Sequence, residues 1–251
     1  YIICFEKDDE MSFEVLIDKG KKLIEKNNKN FIDAKIDNEI IGFIMFTSGT
    51  TEKSKAVMLS HKNICTNLEN VVQMFPISCN DTALSVLPLN HVLEGLFCLL
   101  VTIYNGATRT YCYDLKDIVE DINRYNVSFM GAVPTIYEYI YKRIDEINKE
   151  SINIFMSGGA QLEANIEQKF QVKGINLVQG YGMTETAPVI SMSNTELHKI
   201  GAVGKAIPNI EIKIVNKDEN GIGEIAVKGE NIFLGYYQDI ESTEKVLKDG
   251  W

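Results

Sequence analysis

Hydroxyl side chains, a glycine and lysines are concentrated in residues 46–56, directly after an apolar run. The run at residues 40–46 is long enough for a buried strand and too short for a helix, so the polar cluster begins where a strand is expected to end. Sheets of α/β proteins hold ligands at such strand ends. Hydroxyl and backbone N–H groups donate to phosphate oxygens, Gly49 permits close approach of the backbone, and Lys55 supplies a positive charge. The segment therefore predicts a phosphate-binding loop.

A second interpretation of this segment stays open. A Ser/Thr-rich turn that only joins two strands has a similar composition. The usual P-loop pattern is missing, because no glycine precedes Lys55 and neither serine nor threonine follows it. If residues 46–56 bind phosphate, they therefore form a loop of another class.

A second group of glycines and polar residues begins at Gly180 and ends at Glu185, after another apolar run. Gly180 and Gly182 match the start of the dinucleotide fingerprint G-x-G-x-x-G, but Glu185 stands where its third glycine would be. A carboxylate there would repel a pyrophosphate, so we expect Glu185 to hold Mg²⁺ between phosphates. Tyr181 offers a flat face for a base, and Thr184 offers a hydroxyl for a phosphate. The alternative is a strained turn capped by its threonine.

Two further candidates follow predicted strands. Gly158 and Gly159, followed by Ala160, expose backbone against which a planar ring can lie. A tight turn from strand to helix explains them nearly as well. His91 lies between a predicted strand and an apolar helix, where a single histidine is more often structural than functional.

Composition and charge place the chain among ordinary globular proteins. It has 251 residues, of which 45% are apolar and 24% are charged, enough to bury a substantial core. Its net charge of -10 argues against non-specific binding to nucleic acid or to acidic membranes.

The cysteines and the hydropathy pattern indicate the cellular compartment in which the protein is expected. The five cysteines are widely spaced and include no C-x-x-C pair, which favours reduced thiols over a disulfide framework or a zinc site. No signal peptide is visible, and no apolar run reaches the length of a membrane-spanning helix. We therefore expect a cytoplasmic protein without a transmembrane segment. The sequence does not indicate the oligomeric state.

Strand and helix patterns alternate along most of the chain, as is typical of a mainly parallel sheet with helices on its faces. Strands are predicted at residues 2–5, 40–46, 83–87, 108–112, 128–133, 152–156 and 176–179. Helices are predicted after Ser12, after Ser60, at residues 92–103 and 115–122, from Pro134, and at residues 162–170 and 241–247. From residue 200 onward, glycines separate short β-rich runs such as residues 211–215 and 224–227, which predicts antiparallel hairpins. The expected fold class is α/β, with parts of two mainly parallel sheets flanked by helices and a small antiparallel β-rich subdomain.

Taken in order, these segments resemble the adenylate-forming superfamily of acyl-CoA synthetases, peptide-synthetase adenylation domains and luciferases. The similar segments are residues 46–56, 87–95, 157–160, 180–185, 203–205 and 223–237, which cover nearly the whole chain in family order. Within the superfamily, the pattern most resembles long-chain fatty-acid–CoA ligases. The resemblance implies a two-step reaction. A carboxylate attacks the α-phosphate of ATP to give an acyl-adenylate and pyrophosphate, and a thiol, usually that of coenzyme A, then takes the acyl group.

The resemblance also implies a role for each candidate residue. The residues implied to cradle the β- and γ-phosphates are Thr47, Ser48, Gly49, Thr50, Thr51 and Lys55. Thr184 would contact the α-phosphate, Glu185 would ligate Mg²⁺, and Tyr181 would stack on adenine. The nucleotide-binding set is completed by Gly158, Gly159, Ala160, Gly180 and Gly182. His91 would line the carboxylate end of the acyl pocket. The implied catalytic residues are then Lys55, His91, Thr184 and Glu185, with ATP or AMP, Mg²⁺ and coenzyme A as cofactors or substrates.

The same resemblance divides the chain into four parts. Residues 1–78 are expected to form part of a first α/β subdomain with the phosphate loop, and residues 79–198 a second α/β subdomain. Residues 199–237 would form the β-rich subdomain, and residues 238–251 would return towards the first. The family has a C-terminal domain with a catalytic lysine, which we expect beyond Trp251. The activity is therefore expected of a longer parent protein, and the isolated chain is not expected to complete adenylation.

Residues 51–56 depart from the family's phosphate loop, which usually reads Thr-Gly-x-Pro-Lys-Gly. Glu52, Ser54 and Ala56 replace its first glycine, its proline and its last glycine. A carboxylate about 6 Å from a phosphate would cost about 3 kcal/mol at an effective dielectric constant of about 20, so we expect Glu52 to point to solvent. Two other functions stay open: an adenylation domain that loads a carrier protein, and a nucleotide-binding module that no longer catalyses. The acid is not indicated, because residues 95–103 and 133–141 fit core helices at least as well as an acyl tunnel.

Overall fold

The computed structural model describes residues 12–47, 54–194, 196 and 198–251. Its internal contacts divide the chain into two compact units, Tyr1–Asp37 and Asn38–Trp251. The strand predicted at residues 2–5 lies outside the described residues. So do the phosphate-loop positions Ser48, Gly49, Thr50 and Thr51.

The first unit contains the helix α1 (Phe13–Glu25). Ser12 caps it as predicted, because its hydroxyl accepts a hydrogen bond from the Val15 N–H at 3.4 Å. Apolar side chains recur along one face, in the pattern of an amphipathic helix. No residue of α1 is buried in the structure.

The second unit contains the remaining described elements. Its strands are β1 (Ile41–Thr47), β2 (Lys55–Ser60), β3 (Thr82–Ser85), β4 (Thr108–Tyr111), β5 (Phe129–Ala132), β6 (Ile154–Ser157), β7 (Leu177–Gly182), β8 (Val189–Met192), β9 (Lys205–Ala206), β10 (Ile210–Val215), β11 (Glu224–Gly229) and β12 (Gly235–Tyr236). Its α-helices are α2 (His61–Val72), α3 (Leu99–Tyr104), α4 (Ile118–Arg124), α5 (Pro134–Tyr141), α6 (Ala164–Val172) and α7 (Ile240–Val246). A π-helix, Leu93–Cys98, precedes α3, and short 3₁₀ turns lie at Leu115–Asp117, Ile144–Glu146, Lys149–Ser151 and Thr184–Thr186.

The largest described sheet has seven strands in the order β4-β3-β5-β6-β7-β8-β9. Strands β4, β3, β5, β6 and β7 pair in parallel, whereas β8 and β9 add to the β7 edge in antiparallel fashion. Helices lie between successive parallel strands, because parallel neighbours need a crossover connection. The predicted α/β class is therefore confirmed, with one mainly parallel sheet among the described residues where parts of two were expected.

The two central parallel strands, β5 and β6, are buried on both faces. Successive residues alternate between two apolar clusters: Met130 and Phe155 pack with α4, α5 and α6, whereas Phe129 and Ile154 pack with α2 and the π-helix. This alternation follows from the two-residue period of a strand. Burial of both faces explains why these strands are continuous apolar runs in the sequence.

The remaining strands form antiparallel sheets. Strands β10 and β11 pair along their whole length, which confirms the hairpin predicted after residue 200. Strands β1, β2 and β12 form a sheet in that order, so β1 lies at its edge among the described strands. Thr47 and Lys55 are the last pair of the β1–β2 ladder, and residues 48–54 therefore connect two antiparallel strands.

The prediction that residues 40–46 form a buried strand is wrong in one respect. The strand exists, but its side chains are largely exposed, with Phe46 73% and Ile44 42% accessible. An apolar run predicts a strand from its composition, whereas burial depends on which elements pack on the two faces. In the described structure β1 has a partner strand on one side only.

The two apolar helical segments that suggested an acyl tunnel contribute to the core. Leu96, Phe97 and Val101 are buried, as are Tyr137 and Ile140. The Tyr137 hydroxyl lies 2.8 Å from the Met156 carbonyl oxygen and 2.9 Å from that of Met130, so α5 is tied to two strands. These contacts support the interpretation as core helices. Every helix of the described residues is too short or too polar to cross a membrane.

Candidate functional site

Two glycine-containing segments meet at the carboxyl ends of neighbouring strands. Strands β6 and β7 are parallel, and Ser157 pairs with Gln179 in their ladder. The residues that follow Ser157 and those that follow Gln179 therefore lie at the same edge of the sheet. There they border a small pocket of about 60 Å³. Its lining includes His91, Gly158, Gly159, Gly180, Tyr181 and Gly182.

His91 contributes to this pocket from the segment before the π-helix. A Cβ atom built on Gly159 would lie 3.9 Å from His91 Cε1, so the histidine ring faces the glycine turn. The His91 Nδ1 atom accepts a hydrogen bond from the Leu93 N–H at 3.3 Å, which orients the ring. Ala160 is exposed and does not belong to the described pocket lining.

Gly182 allows the two arms of the β7–β8 hairpin to approach closely. A Cβ atom at this position would overlap the Pro188 carbonyl oxygen and lie 3.0 Å from the Val189 Cα atom. Backbone atoms cannot move aside as the end of a flexible side chain can. The glycine is therefore required by this hairpin, whatever it contributes to ligand binding.

The turn that follows β7 is held by Thr186 and not by Thr184. The Thr186 hydroxyl donates a hydrogen bond to the Pro188 carbonyl oxygen at 2.7 Å. Its Oγ1 atom accepts one from the Met183 N–H at 3.3 Å. Among the two threonines, the buried Thr186 thus performs the structural role, and Thr184 is only half-buried. The alternative of a turn capped by the threonine of residues 180–185 named the wrong residue, because the bonds within the turn come from Thr186 and not from Thr184.

Glu185 projects from the same turn and is half-buried. One oxygen of its carboxylate accepts a hydrogen bond from the Tyr236 hydroxyl at 2.8 Å, and its backbone carbonyl accepts one from the Phe233 N–H at 2.9 Å. Burial, together with the hydrogen bond to Glu185, raises the pKa of Tyr236 well above its usual value. The phenol therefore remains a proton donor to the carboxylate at neutral pH.

Glu185 would offer a metal ion a single carboxylate, because the described part of the chain contains no group of three or more histidine, cysteine, aspartate or glutamate side chains that could hold one. Mg²⁺ suits such a place, because it prefers oxygen ligands and commonly takes one or two carboxylates together with substrate phosphates.

Lys55 contacts the ring of the same Tyr236. Its Nζ atom lies 4.9 Å from the centre of the Tyr236 ring, within the range of a cation–π contact. Lys55 also borders an open cavity of about 620 Å³ together with Asp239 and Ser242. Hydrogen bonds from Ser242 lower the pKa of Asp239, and the charge of Lys55 contributes to the shift.

The predicted residues therefore fall into two groups in the described structure. Lys55 and Glu185 are linked through Tyr236, and Thr47 pairs with Lys55 across the ladder. His91 and the glycines line the small pocket, which shares no lining residue with the cavity at Lys55.

Helix α2 supplies a set of polar residues that sequence reasoning missed. Asn63, Asn67 and Asn70 lie on one buried face and are each at most 5% exposed. The Asn63 amide donates to the carbonyl oxygens of Glu230 and Ile232, at 2.8 Å each. Since α2 begins where β2 ends, these bonds fix the segment before β12 relative to β2.

Asn67 connects the same helix to the turn that carries Glu185. Its amide donates to the carbonyl oxygens of Thr186 and Val189 at 3.1 and 2.8 Å, and its side-chain oxygen accepts from the Val189 N–H. The Asn231 amide also donates to Thr186. The sequence signal was the i, i+4, i+7 spacing of three asparagines on the apolar side of an amphipathic helix.

Replacing Asn67 with alanine is expected to lower the free energy of unfolding by about 2–3 kcal/mol, because the N–H and carbonyl groups of Val189 lose this partner and the Thr186 carbonyl keeps only Asn231. The thermal midpoint of the whole protein would measure this loss. Asn220→Ala, on an exposed turn, is the matched control and should leave the midpoint unchanged. Equal midpoints for the two variants would show that Asn67 does not hold the turn.

A buried carboxylate positions the end of β7. Glu167 on α6 is fully buried and accepts hydrogen bonds from the Gln179 side chain at 3.0 Å and from the Gly201 N–H at 2.7 Å. His198 lies 2.6 Å from its other oxygen. The sequence did not indicate this contact between His198 and Glu167.

A second buried carboxylate follows His91 by three residues. Glu94, on the π-helix, is 0% exposed, accepts a hydrogen bond from Ser85 Oγ at 2.7 Å and pairs with Arg109 on β4. Arg109 also lies 3.4 Å from the Thr102 hydroxyl. The pair thus ties the π-helix to the two strands at one edge of the large sheet. In the sequence, a glutamate within an apolar run was the signal of such a buried partner.

Comparison with known proteins agrees with these features. The sequence profile of "AMP-binding enzyme" matches residues 2–237. A long-chain-fatty-acid–CoA ligase of Salmonella typhimurium is 28% identical over 97% of this chain and 45% of its own length. The chain spans about half the length of the curated relatives it matches.

Solved structures of CoA synthetases and related enzymes are also similar to this chain. ATP-bound MatB from Rhodopseudomonas palustris superimposes with a TM-score of 0.75 and 28% identity, over 86% of this chain and 45% of that protein. The o-succinylbenzoate CoA synthetase of Bacillus subtilis, bound to the acyl-adenylate OSB-AMP, gives a TM-score of 0.73 and 29% identity over 86% and 46% of the two chains. With the matched profile covering most of its length, the chain belongs to the AMP-binding enzyme family.

Proposed function

We propose that the whole protein activates a carboxylic acid with ATP to form an acyl-adenylate and then transfers the acyl group to coenzyme A. The observation that carries this proposal is the connection of Lys55 and Glu185 through Tyr236. It brings a cation for phosphate and a carboxylate for a metal ion to one place, although the two residues lie on different elements. Family membership and the relatives with bound ATP and acyl-adenylate support the same reaction.

In this proposal each residue performs a binding task. Lys55 and the loop residues Thr47, Ser48, Gly49, Thr50 and Thr51 hold the terminal phosphates. Thr184 donates to the α-phosphate, where negative charge accumulates as the acid attacks. The acid is already a nucleophile, so stabilisation of that charge is the main catalytic contribution of the protein.

The base and the acid would occupy the small pocket and its surroundings. Tyr181 stacks on adenine beside Gly158, Gly159 and Ala160, and bare glycine backbone leaves room for the ring. His91 borders the same pocket and would lie at the carboxylate end of the bound acid. Glu185 would hold Mg²⁺, which supplies positive charge to the phosphates when it is bound.

A fatty acid is the proposed substrate class. The support is the similarity to long-chain-fatty-acid–CoA ligases, alongside relatives that act on aromatic acids such as the feruloyl-CoA synthase of Amycolatopsis. We further propose that the protein is cytoplasmic. We also propose the four sequence-based parts as its subdomain arrangement, with boundaries after residues 78, 198 and 237.

The test is an ATP–pyrophosphate exchange screen of the whole protein against straight-chain acids of increasing length and against aromatic acids. Each buried CH₂ contributes about 0.8 kcal/mol, so a fitted tunnel raises kcat/KM roughly fourfold per carbon. Formation of acyl-CoA from the best acid would separate a CoA ligase from a domain that loads a carrier protein. No exchange with any acid, despite ATP binding, would instead favour the non-catalytic nucleotide-binding module.

The Glu52→Gly substitution tests whether the unusual phosphate loop is functional. We expect the exchange rate of the whole protein to change less than about twofold, because a carboxylate that points to solvent is screened from the phosphates. Glu244→Gly, on an exposed helical surface, serves as the control for the loss of one acidic residue. A gain of tenfold or more at position 52 alone would show that Glu52 opposes phosphate binding.

A further inference from the structure

We propose that Tyr236 is a positioning residue for Glu185, whose carboxylate it holds in the orientation that binds Mg²⁺. Nothing in the sequence motifs assigned a role to this tyrosine. The inference rests on the proposed function, because it takes Glu185 as the magnesium ligand. Its basis is geometric: the only described hydrogen bond of the Glu185 carboxylate comes from the Tyr236 hydroxyl, at 2.8 Å.

The donor is fixed in place from several directions. Tyr236 is only 7% exposed, and its ring packs edge-on against Phe233 with the ring centres 5.0 Å apart. Its backbone N–H donates to the Thr243 hydroxyl at 2.9 Å, and the residue pairs with Val57 of β2. A side chain held in this way cannot follow a mobile carboxylate, so the carboxylate is held by the tyrosine.

The backbone beside Tyr236 is specialised for this placement. Gly235 has a φ of 131°, a conformation that side chains with a Cβ atom rarely adopt. A Cβ atom there would also lie 2.9 Å from Thr243 Cγ2. The glycine thus lets the chain turn into β12 and present the following tyrosine to Glu185.

The same ring contacts Lys55 through its face, at 4.9 Å from the ammonium nitrogen to the ring centre. Tyr236 therefore contacts one residue from each half of the proposed phosphate and metal site. Its hydroxyl acts on Glu185 and its ring on Lys55, so the two effects can be separated by substitution. Tyr236→Phe removes the hydrogen bond but keeps the ring, its packing and the cation–π contact.

The experiment is calorimetric titration of ATP into the whole protein, once with excess Mg²⁺ and once with EDTA. We expect Tyr236→Phe to weaken ATP binding about tenfold to 100-fold in Mg²⁺, in proportion to the loss of one hydrogen bond to a charged group. In EDTA its affinity should equal that of the wild type. Tyr104→Phe, at the exposed end of α3, is the same chemical change elsewhere and should alter neither titration.

Glu185→Gln is measured beside these variants and tests the proposed function separately. If Glu185 binds the metal, this variant loses the difference between the Mg²⁺ and EDTA titrations. If the difference persists, the metal role of Glu185 fails and the positioning role of Tyr236 fails with it. When Glu185→Gln behaves as expected, an unchanged Tyr236→Phe variant overturns the positioning role alone. An equal loss of ATP affinity by Tyr236→Phe in Mg²⁺ and in EDTA would also overturn the positioning role, because it would indicate a structural effect.

Discussion

Replacing Glu185 with glutamine is expected to slow acid-dependent ATP–pyrophosphate exchange by the whole protein about 100-fold or more. This size of effect is typical of removing one preorganised charged or polar group from an active site in which charge develops in the transition state. Glutamine keeps the size of the side chain and an oxygen that accepts from the Tyr236 hydroxyl, so the loss reports on the negative charge. Exchange is measured at saturating ATP and acid over a series of Mg²⁺ concentrations.

The control for this substitution is Glu244→Gln on the exposed surface of α7, which should leave the exchange rate unchanged. A Glu185→Gln protein whose rate stays within about threefold of the wild type would remove Glu185 from the catalytic set. Partial recovery at high Mg²⁺ would be consistent with a weakened metal site.

Replacing Arg109 with methionine is expected to lower the free energy of unfolding by about 3–5 kcal/mol, because it leaves the charge of Glu94 buried without its partner. The Glu94 side chain is 0% exposed and that of Arg109 only 9%, so water cannot compensate the loss. Urea denaturation of the whole protein, followed by circular dichroism, measures the change. Adding Glu94→Gln should restore at least half of the lost stability, because no unpaired charge is then buried.

The matched control is Arg143→Met. Arg143 pairs with Glu120 and Glu146, whose side chains are more than half exposed, and such surface pairs contribute little. The control should therefore unfold at nearly the wild-type urea concentration. Equal losses for the two arginine variants would mean that burial does not decide the strength of the Glu94–Arg109 pair.

Much of the local structure was predictable from sequence because its causes are local. The strands at residues 83–87, 108–112 and 128–133 and the helix opened by Pro134 are present, with ends shifted by up to two residues. Continuous apolar runs report burial of a strand on both faces, and cap residues report helix starts. Ser60 is an example, since it caps α2 in a capping box with Asn63.

Pairing partners were less predictable. The antiparallel strand β8 was not predicted, and the phosphate-loop segment joins two antiparallel strands instead of following a strand of the parallel sheet. The period of side chains along a strand is the same in parallel and antiparallel sheets, so it does not specify the neighbour. The exposure of residues 40–46 has the same origin, since it depends on what packs against the strand.

For the candidate site, the sequence by itself determined the chemical groups and their order: the hydroxyl-rich segment with Lys55, the glycines, and Glu185 after a strand. Only the tertiary structure decided how they are joined. Tyr236 reaches Glu185 over a sequence separation of 51 residues, and Asn63 reaches Ile232 over a separation of 169 residues. Hydrogen bonds between such distant residues leave no periodic signal in the sequence, because they exist only once the sheets have formed.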